Sequence, residues 1–162
     1  MEIYTFLDTH GIDYERHDHP PVFTCNDVNR LVPALPGRKT KNLFICDNKG
    51  NQHFLVTVPD EKSVDLKSFG EVLAVKKLRF ASAERLKAHL ALEPGAVTLL
   101  GVMNDEAQLV RVIVDQAIWE ADALQCHPLV NTATLVISLD NVRKFLDATG
   151  HEALVMDVPA RF

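Results

Sequence analysis

Three short segments carry residue types that can do chemistry. The first is Lys39-Thr40-Lys41-Asn42-Leu43-Phe44-Ile45-Cys46. Read as a strand, it puts Lys41 on one face with Leu43 and Ile45, and Asn42 on the other with Phe44 and Cys46. A lysine at the mouth of such a strand can hold a phosphate or carboxylate, or stabilise developing negative charge. It can equally be a surface lysine whose stem snorkels over apolar neighbours. The second segment runs from Glu93 to Asp105 and joins Pro94-Gly95 to an apolar stretch containing Gly101. Gly101 either lets a ligand approach the backbone closely or serves a plain turn. The third is Cys126-His127-Pro128-Leu129-Val130-Asn131-Thr132-Ala133-Thr134-Leu135. Pro128 holds His127 extended. His127, Asn131 and Thr132 then form a polar cluster before a buried strand, which suits a pocket rim, although a lone histidine is more often structural than catalytic.

Other chemistries lack their residues. There is no P-loop, GxGxxG, HExxH or GxSxG. His17 and His19 would share a strand face, but no third ligand accompanies them, so neither a metal nor a cofactor is expected. Cys25, Cys46 and Cys126 are odd in number and lack CxxC spacing, which argues against a disulfide framework or a zinc site. Cys126 and His127 are adjacent; on a strand they would point to opposite faces and could not act as nucleophile and base.

The elements that must position these segments are legible from spacing. Ile3, Phe6, Leu7 and Ile12 fall at helical intervals, with Gly11 at the end. A polar strand over Tyr14 to His19 stops at Pro20-Pro21, and Thr24 or Asn26 suits the cap of a short helix through Asn29 and Leu31, ending near Pro33. Strands over Lys41 to Cys46 and His53 to Val58 flank the turn Asp47 to Asn51, a hairpin signal. Asp65 opens a helix through Val72, Lys77 to Phe80 reads as a brief strand, and Ser82 opens a helix over Ala83 to Leu90. Strands at Leu109 to Val114, Leu135 to Ile137 and Ala153 to Val158 follow, with a helix over Leu139 to Ala148. Helices and strands mix without regular βαβ alternation, so a mixed or antiparallel sheet with flanking helices is expected.

The 162 residues fit one domain, 1–162, and the 47% hydrophobic content supplies one core. No apolar run reaches the ~20 residues that cross a bilayer. The opening residues lack a signal peptide's basic start, so a cytoplasmic protein is expected. The net charge of −5 provides no broad basic surface. With no recognition-helix motif, DNA binding is disfavoured, while brief action on one end of a large RNA is not.

Taken together, Lys-Asn-Leu-Phe at Lys41, Pro-Gly-Ala-Val-Thr at Pro94 and His-Pro-Leu-Val-Asn-Thr-Ala-Thr-Leu at His127 resemble the YbaK/prolyl-tRNA-synthetase-associated editing family. Within it the pattern is most similar to the freestanding alanyl-tRNA(Pro) deacylases. His19 to Thr24 and Lys77 to Ala81 also fit, so the resemblance covers nearly the whole chain. Many relatives have Pro-Phe where this chain has Leu99-Leu100.

The resemblance implies a curled, partly barrel-like mixed β-sheet flanked by helices. It implies that Lys41 is needed for activity near the tRNA 3′ end, that Asn42 sits beside the substrate, and that Gly101 belongs to a loop approaching the aminoacyl group. His127, with Asn131 in its segment, would line the pocket that admits alanine. Lys39, Lys77 and Arg79 are the candidates for contact with the tRNA acceptor end. The implied reaction is deacylation of mischarged alanyl-tRNA(Pro) by water, assisted by a ribose hydroxyl, with backbone amides near Gly101 facing the oxyanion. The partners would be mischarged tRNA and, in passing, the translation machinery. The alternatives are a deacylase for cysteine, serine or a noncanonical amino acid on tRNA, or a noncatalytic tRNA- or amino-acid-binding module.

Overall fold

The structure, a computed structural model, describes residues 2–22, 24, 26, 30 and 34–161. The short helix expected after Thr24 or Asn26 falls largely outside these residues. Among the described residues eight strands form two sheets. Strands β1 (Glu15–Asp18), β7 (Ala133–Ser138) and β6 (Ala123–Cys126) make a three-stranded antiparallel sheet in the order β1-β7-β6. The second sheet runs β4 (Arg79–Phe80), β2 (Thr40–Cys46), β3 (His53–Pro59), β5 (Val110–Asp115), β8 (Ala153–Met156). Its β4-β2-β3 half is antiparallel, whereas β3-β5 and β5-β8 are parallel. The mixed sheet with flanking helices is as expected.

Strand β3 is buried along its whole length because the five-stranded sheet is covered on both faces. On one face Phe44, Leu55, Val112 and Val114 meet Leu124, Leu135 and Ile137 of the smaller sheet, together with Leu7, Leu90 and Phe145 from helices. On the other, Ile45, Phe54, Val56 and Ile113 pack with Phe69 and Val158. Flanking helices include α1 (Ile3–Thr9), α2 (Leu66–Leu73), α3 (Ala83–Leu90), α4 (Gln116–Trp119) and α5 (Leu139–Thr149). Asp65, Ser82 and Ser138 cap α2, α3 and α5 by accepting from Ser68, Arg85 and Asn141 backbone N–H groups. In the β2–β3 turn, Asp47 Oδ1 accepts from Asn51 and Gln52 amides at 2.7 and 3.0 Å.

The two sheets meet at one corner. Arg38 bridges to Leu124, its N–H donating to Ala123 O at 2.8 Å, and Gln125 N–H returns to Arg38 O at 2.9 Å. The curl is therefore a corner between two sheets, and the barrel is not closed. Among the described residues no helix is long and apolar enough to cross a membrane.

Candidate active site

The corner opens into a narrow pocket where β2 begins and β6 ends. Its empty volume, part of it open to solvent, is about 380 Å³. Thr40 and Gln125 build the seam: Thr40 Oγ1 donates to Gln125 O at 2.5 Å. The buried Gln125 amide nitrogen lies 3.1–3.3 Å from the carbonyls of Leu35, Pro36 and Gly37, tying that turn to β6. Gly37 has φ +90°, and a Cβ there would press on Ala123 backbone at 3.3 Å.

Hydrogen bonds on the far side of each wall residue set the polarity inside. Asn42 Oδ1 accepts from the Thr57 hydroxyl at 2.6 Å, which leaves the Asn42 NH₂ as its free group. His127 Nδ1 lies 3.1 Å from Ala133 O. A carbonyl only accepts, so Nδ1 carries the hydrogen and Nε2 is a bare acceptor in the neutral ring. Burial lowers the His127 pKa; the Ala133 bond opposes this and the neighbouring His19 adds to it. Thr134 Oγ1 lies 2.8 Å from His19 Nε2. Asp60 completes the wall beside Lys39. Burial and then Glu61 raise its carboxyl pKa, with Lys39 pulling the other way.

Cys126 also lines the pocket, but burial pushes its thiol up to about 12. It is protonated at neutral pH and is no nucleophile. The adjacency rule separating Cys126 from His127 does not apply, since β6 ends at Cys126 and both residues reach the pocket. Among the described residues no three His, Cys, Asp or Glu side chains cluster as metal ligands would.

Of the residues singled out in the sequence, the pocket brings together Lys39, Asn42 and His127. Lys41 is half-buried and, by strand alternation, leaves β2 on the opposite face with Leu43 and Ile45. Its ammonium has no side-chain partner among the described residues. Asn131 is half-buried beside the site, its carbonyl accepting from Val22 N–H at 3.1 Å, and is not on the pocket wall.

Gly101 lies apart from the pocket wall. It is buried in a 3₁₀ turn over Leu99–Asn104, its N–H donates to Thr98 O at 3.0 Å, and a Cβ would meet Leu92 Cδ1 at 2.7 Å. Its small size serves packing against Leu92, and its own amide is engaged by Thr98. Leu99 and Leu100 are core residues of the same turn. Lys77 and Arg79 are exposed at the other end of β2, where Arg79 pairs with Cys46. Four residue steps along the strand take Cys46 roughly 13 Å from Asn42. These two side chains do not join the pocket.

Thr40, Asp60, Gln125 and Thr134 line the pocket without having been singled out. For Thr134 the signal was available: a threonine inside a β-branched run next to the His127 segment. For Asp60 and Gln125 it was not, because both depend on how the two sheets meet.

A family model described as the aminoacyl-tRNA editing domain matches residues 19–145. The prolyl-tRNA editing protein ProX of Acetoanaerobium sticklandii is 36% identical over 145 residues, covering 90% of this chain and 88% of that protein. The prolyl-tRNA synthetase associated domain-containing protein 1 of Mus musculus is 31% identical over 160 residues, covering 96% and 94%. Among solved structures, a candidate trans-editing enzyme for prolyl-tRNA synthetase superposes with a TM-score of 0.70 at 17% identity, covering 98% of this chain and 95% of that one. At that identity the likeness is one of fold.

Proposed function

The chain belongs to the aminoacyl-tRNA editing domain family, and on that footing we propose that it is a trans-acting hydrolase that removes alanine from mischarged alanyl-tRNA(Pro). The observation that carries this reading is the narrow pocket in which Asn42 presents a donor, His127 an acceptor, and the one thiol is inert.

A synthetase site built for proline cannot exclude the smaller alanine sterically, since each methylene is worth only about 1–3 kcal/mol. A second, smaller pocket supplies the missing discrimination. Water adds to the ester carbonyl carbon, the bond to the ribose oxygen breaks, and that oxygen takes up a proton to leave free alanine and intact tRNA. A ribose hydroxyl of the terminal adenosine orients the water. The Asn42 NH₂ donates to the carbonyl oxygen as it gains charge; one such donor is worth about 2.7–4 kcal/mol in a well-studied hydrolase. Lys41 holds backbone phosphate from outside the pocket, and Lys39 stands at its wall. The partner is the acceptor end of mischarged tRNA, met in the cytoplasm beside the translation machinery.

The test is deacylation of alanyl-tRNA(Pro), with prolyl-tRNA(Pro) and alanyl-tRNA(Ala) run in parallel. Loss of alanine from the proline tRNA alone is the expected result. Hydrolysis of none of the three would overturn this assignment and turn attention to cysteinyl and seryl substrates.

A further inference from the structure

The pocket wall has a second polar arrangement that ester hydrolysis alone does not require. His19 Nδ1 lies 2.8 Å from Pro20 O, and His19 Nε2 lies 2.8 Å from Thr134 Oγ1. The Pro20 carbonyl can only accept, so in the neutral ring Nδ1 carries the hydrogen and Nε2 is an acceptor. The Thr134 hydroxyl therefore donates its single hydrogen to His19. What Thr134 turns toward the pocket is oxygen lone pairs.

His127 reaches the same state by another route, because its Nδ1–H is committed to Ala133 O and its Nε2 is left bare. Thr134 and His127 thus supply two acceptors to one small space, while Asn42, with its oxygen committed to Thr57, supplies the donor. Asp60 adds a carboxyl to the wall, its charge offset in part by Lys39.

A ligand complementary to this set carries a cluster of N–H donors next to a carbonyl oxygen. A simple acyl ester has no donor and a free alcohol has no carbonyl; an α-ammonium ester has both, one carbon apart. We propose that the pocket selects aminoacyl esters with a free α-ammonium group, bound by Thr134 Oγ1 and His127 Nε2, and that His19 is a positioning residue that keeps Thr134 an acceptor. This rests on the editing assignment for the identity of the ester, but its binding prediction can be read without turnover.

The probes are two CCA trinucleotides ending in 3′-amino-3′-deoxyadenosine, one N-alanylated and one N-propionylated. Both are amides, and they differ only by the amine. Wild type is expected to bind the alanyl probe tighter by about tenfold to a hundredfold, the range for a hydrogen bond to a charged group. Thr134→Val and His19→Phe should reduce that preference to less than about threefold, while Thr134→Ser keeps it. The serine variant separates loss of the hydroxyl from damage to the fold.

Equal affinity for the two probes, or affinity for neither, overturns the proposal. So does a preference that survives Thr134→Val. If the preference holds while alanyl-tRNA(Pro) is not hydrolysed, the editing assignment falls and the ammonium site stands. If alanyl-tRNA(Pro) is hydrolysed and the probes bind equally, the reverse is true.

Discussion

Asn42 and Thr57 face each other across the β2–β3 ladder, and the 2.6 Å hydrogen bond between their side chains decides which end of the Asn42 amide is turned to the pocket. Thr57 is fully buried, so its hydroxyl has little choice of partner. Asn42→Asp replaces the donor by an acceptor-only carboxylate and should lower kcat for alanyl-tRNA(Pro) by about 10²–10³, the cost of one lost donor to a developing oxyanion. Thr57→Val releases the amide to rotate and should cost less, about tenfold. Single-turnover deacylation of both variants checks the order; a Thr57→Val loss exceeding that of Asn42→Asp would remove the amide from the reaction.

Lys41 leaves the same strand on the opposite face, with its ammonium unpartnered among the described residues. A phosphate contact from that position acts on RNA binding. Lys41→Ala should abolish most deacylation at subsaturating tRNA, leave the melting temperature unchanged, and reduce the slope of log affinity against log salt by about one. Near-normal turnover with an unchanged salt slope would take Lys41 out of the mechanism.

The sequence made much of this arrangement legible. The alternation in Lys41 to Cys46 already separated Lys41 from Asn42, and the caps at Asp65 and Ser82 fall where polar residues precede amphipathic runs. Strand β6 was missed, because Ala123 to Cys126 is short and lies next to the stronger signal of the His127 segment. Gly101 shows what spacing leaves open. A glycine near a proposed site reads as a ligand contact, yet whether its bare face meets a ligand or Leu92 depends on where α3 and the residues after it pack. Lys77 and Arg79 depend on register in the same way, since Arg79 stands opposite Cys46, at the end of β2 away from the pocket.

Gly101→Ala tests the packing role directly. The added Cβ would stand 2.7 Å from Leu92 Cδ1 and 3.6 Å from Leu90 Cβ. Relief requires Leu92 to change rotamer inside the core, an overpacking cost of about 1–3 kcal/mol. The variant should unfold at lower denaturant, whereas deacylation at a temperature where it remains folded should stay close to wild type. A loss of rate without a loss of stability would return Gly101 to the substrate's side.

Cys126 stands on the pocket wall as a protonated thiol with its pKa pushed up to about 12. Cys126→Ala should retain alanyl-tRNA(Pro) deacylation within a few-fold, since it opens only a small space and removes no nucleophile. Treatment of the wild-type protein with a thiol-alkylating agent at pH 8 should leave Cys126 unmodified by mass spectrometry. Modification of Cys126 together with loss of activity would require a covalent mechanism instead.

His127 couples the pocket to pH. Burial is the largest influence on its pKa and lowers it from the ordinary 6.5; the neighbouring His19 lowers it further, and the bond to Ala133 O opposes both. The folded ring therefore takes up its proton only below the pH at which the unfolded one does. Its contribution to stability is complete above about 6.5 and is lost as pH falls toward the folded value. Protonation also turns Nε2 from acceptor to donor, so kcat/KM should be flat near neutrality and fall on the acid side with a pKa below 6.5. His127→Ala should abolish that acid limb. It should also widen the pocket and raise the ratio of prolyl-tRNA(Pro) to alanyl-tRNA(Pro) hydrolysis, which a pH effect alone would not do. An acid limb that persists in His127→Ala belongs to another group, with the Asp60 carboxyl on the same wall the first to examine, and unchanged selectivity with it would exclude His127 from the pocket's working surface.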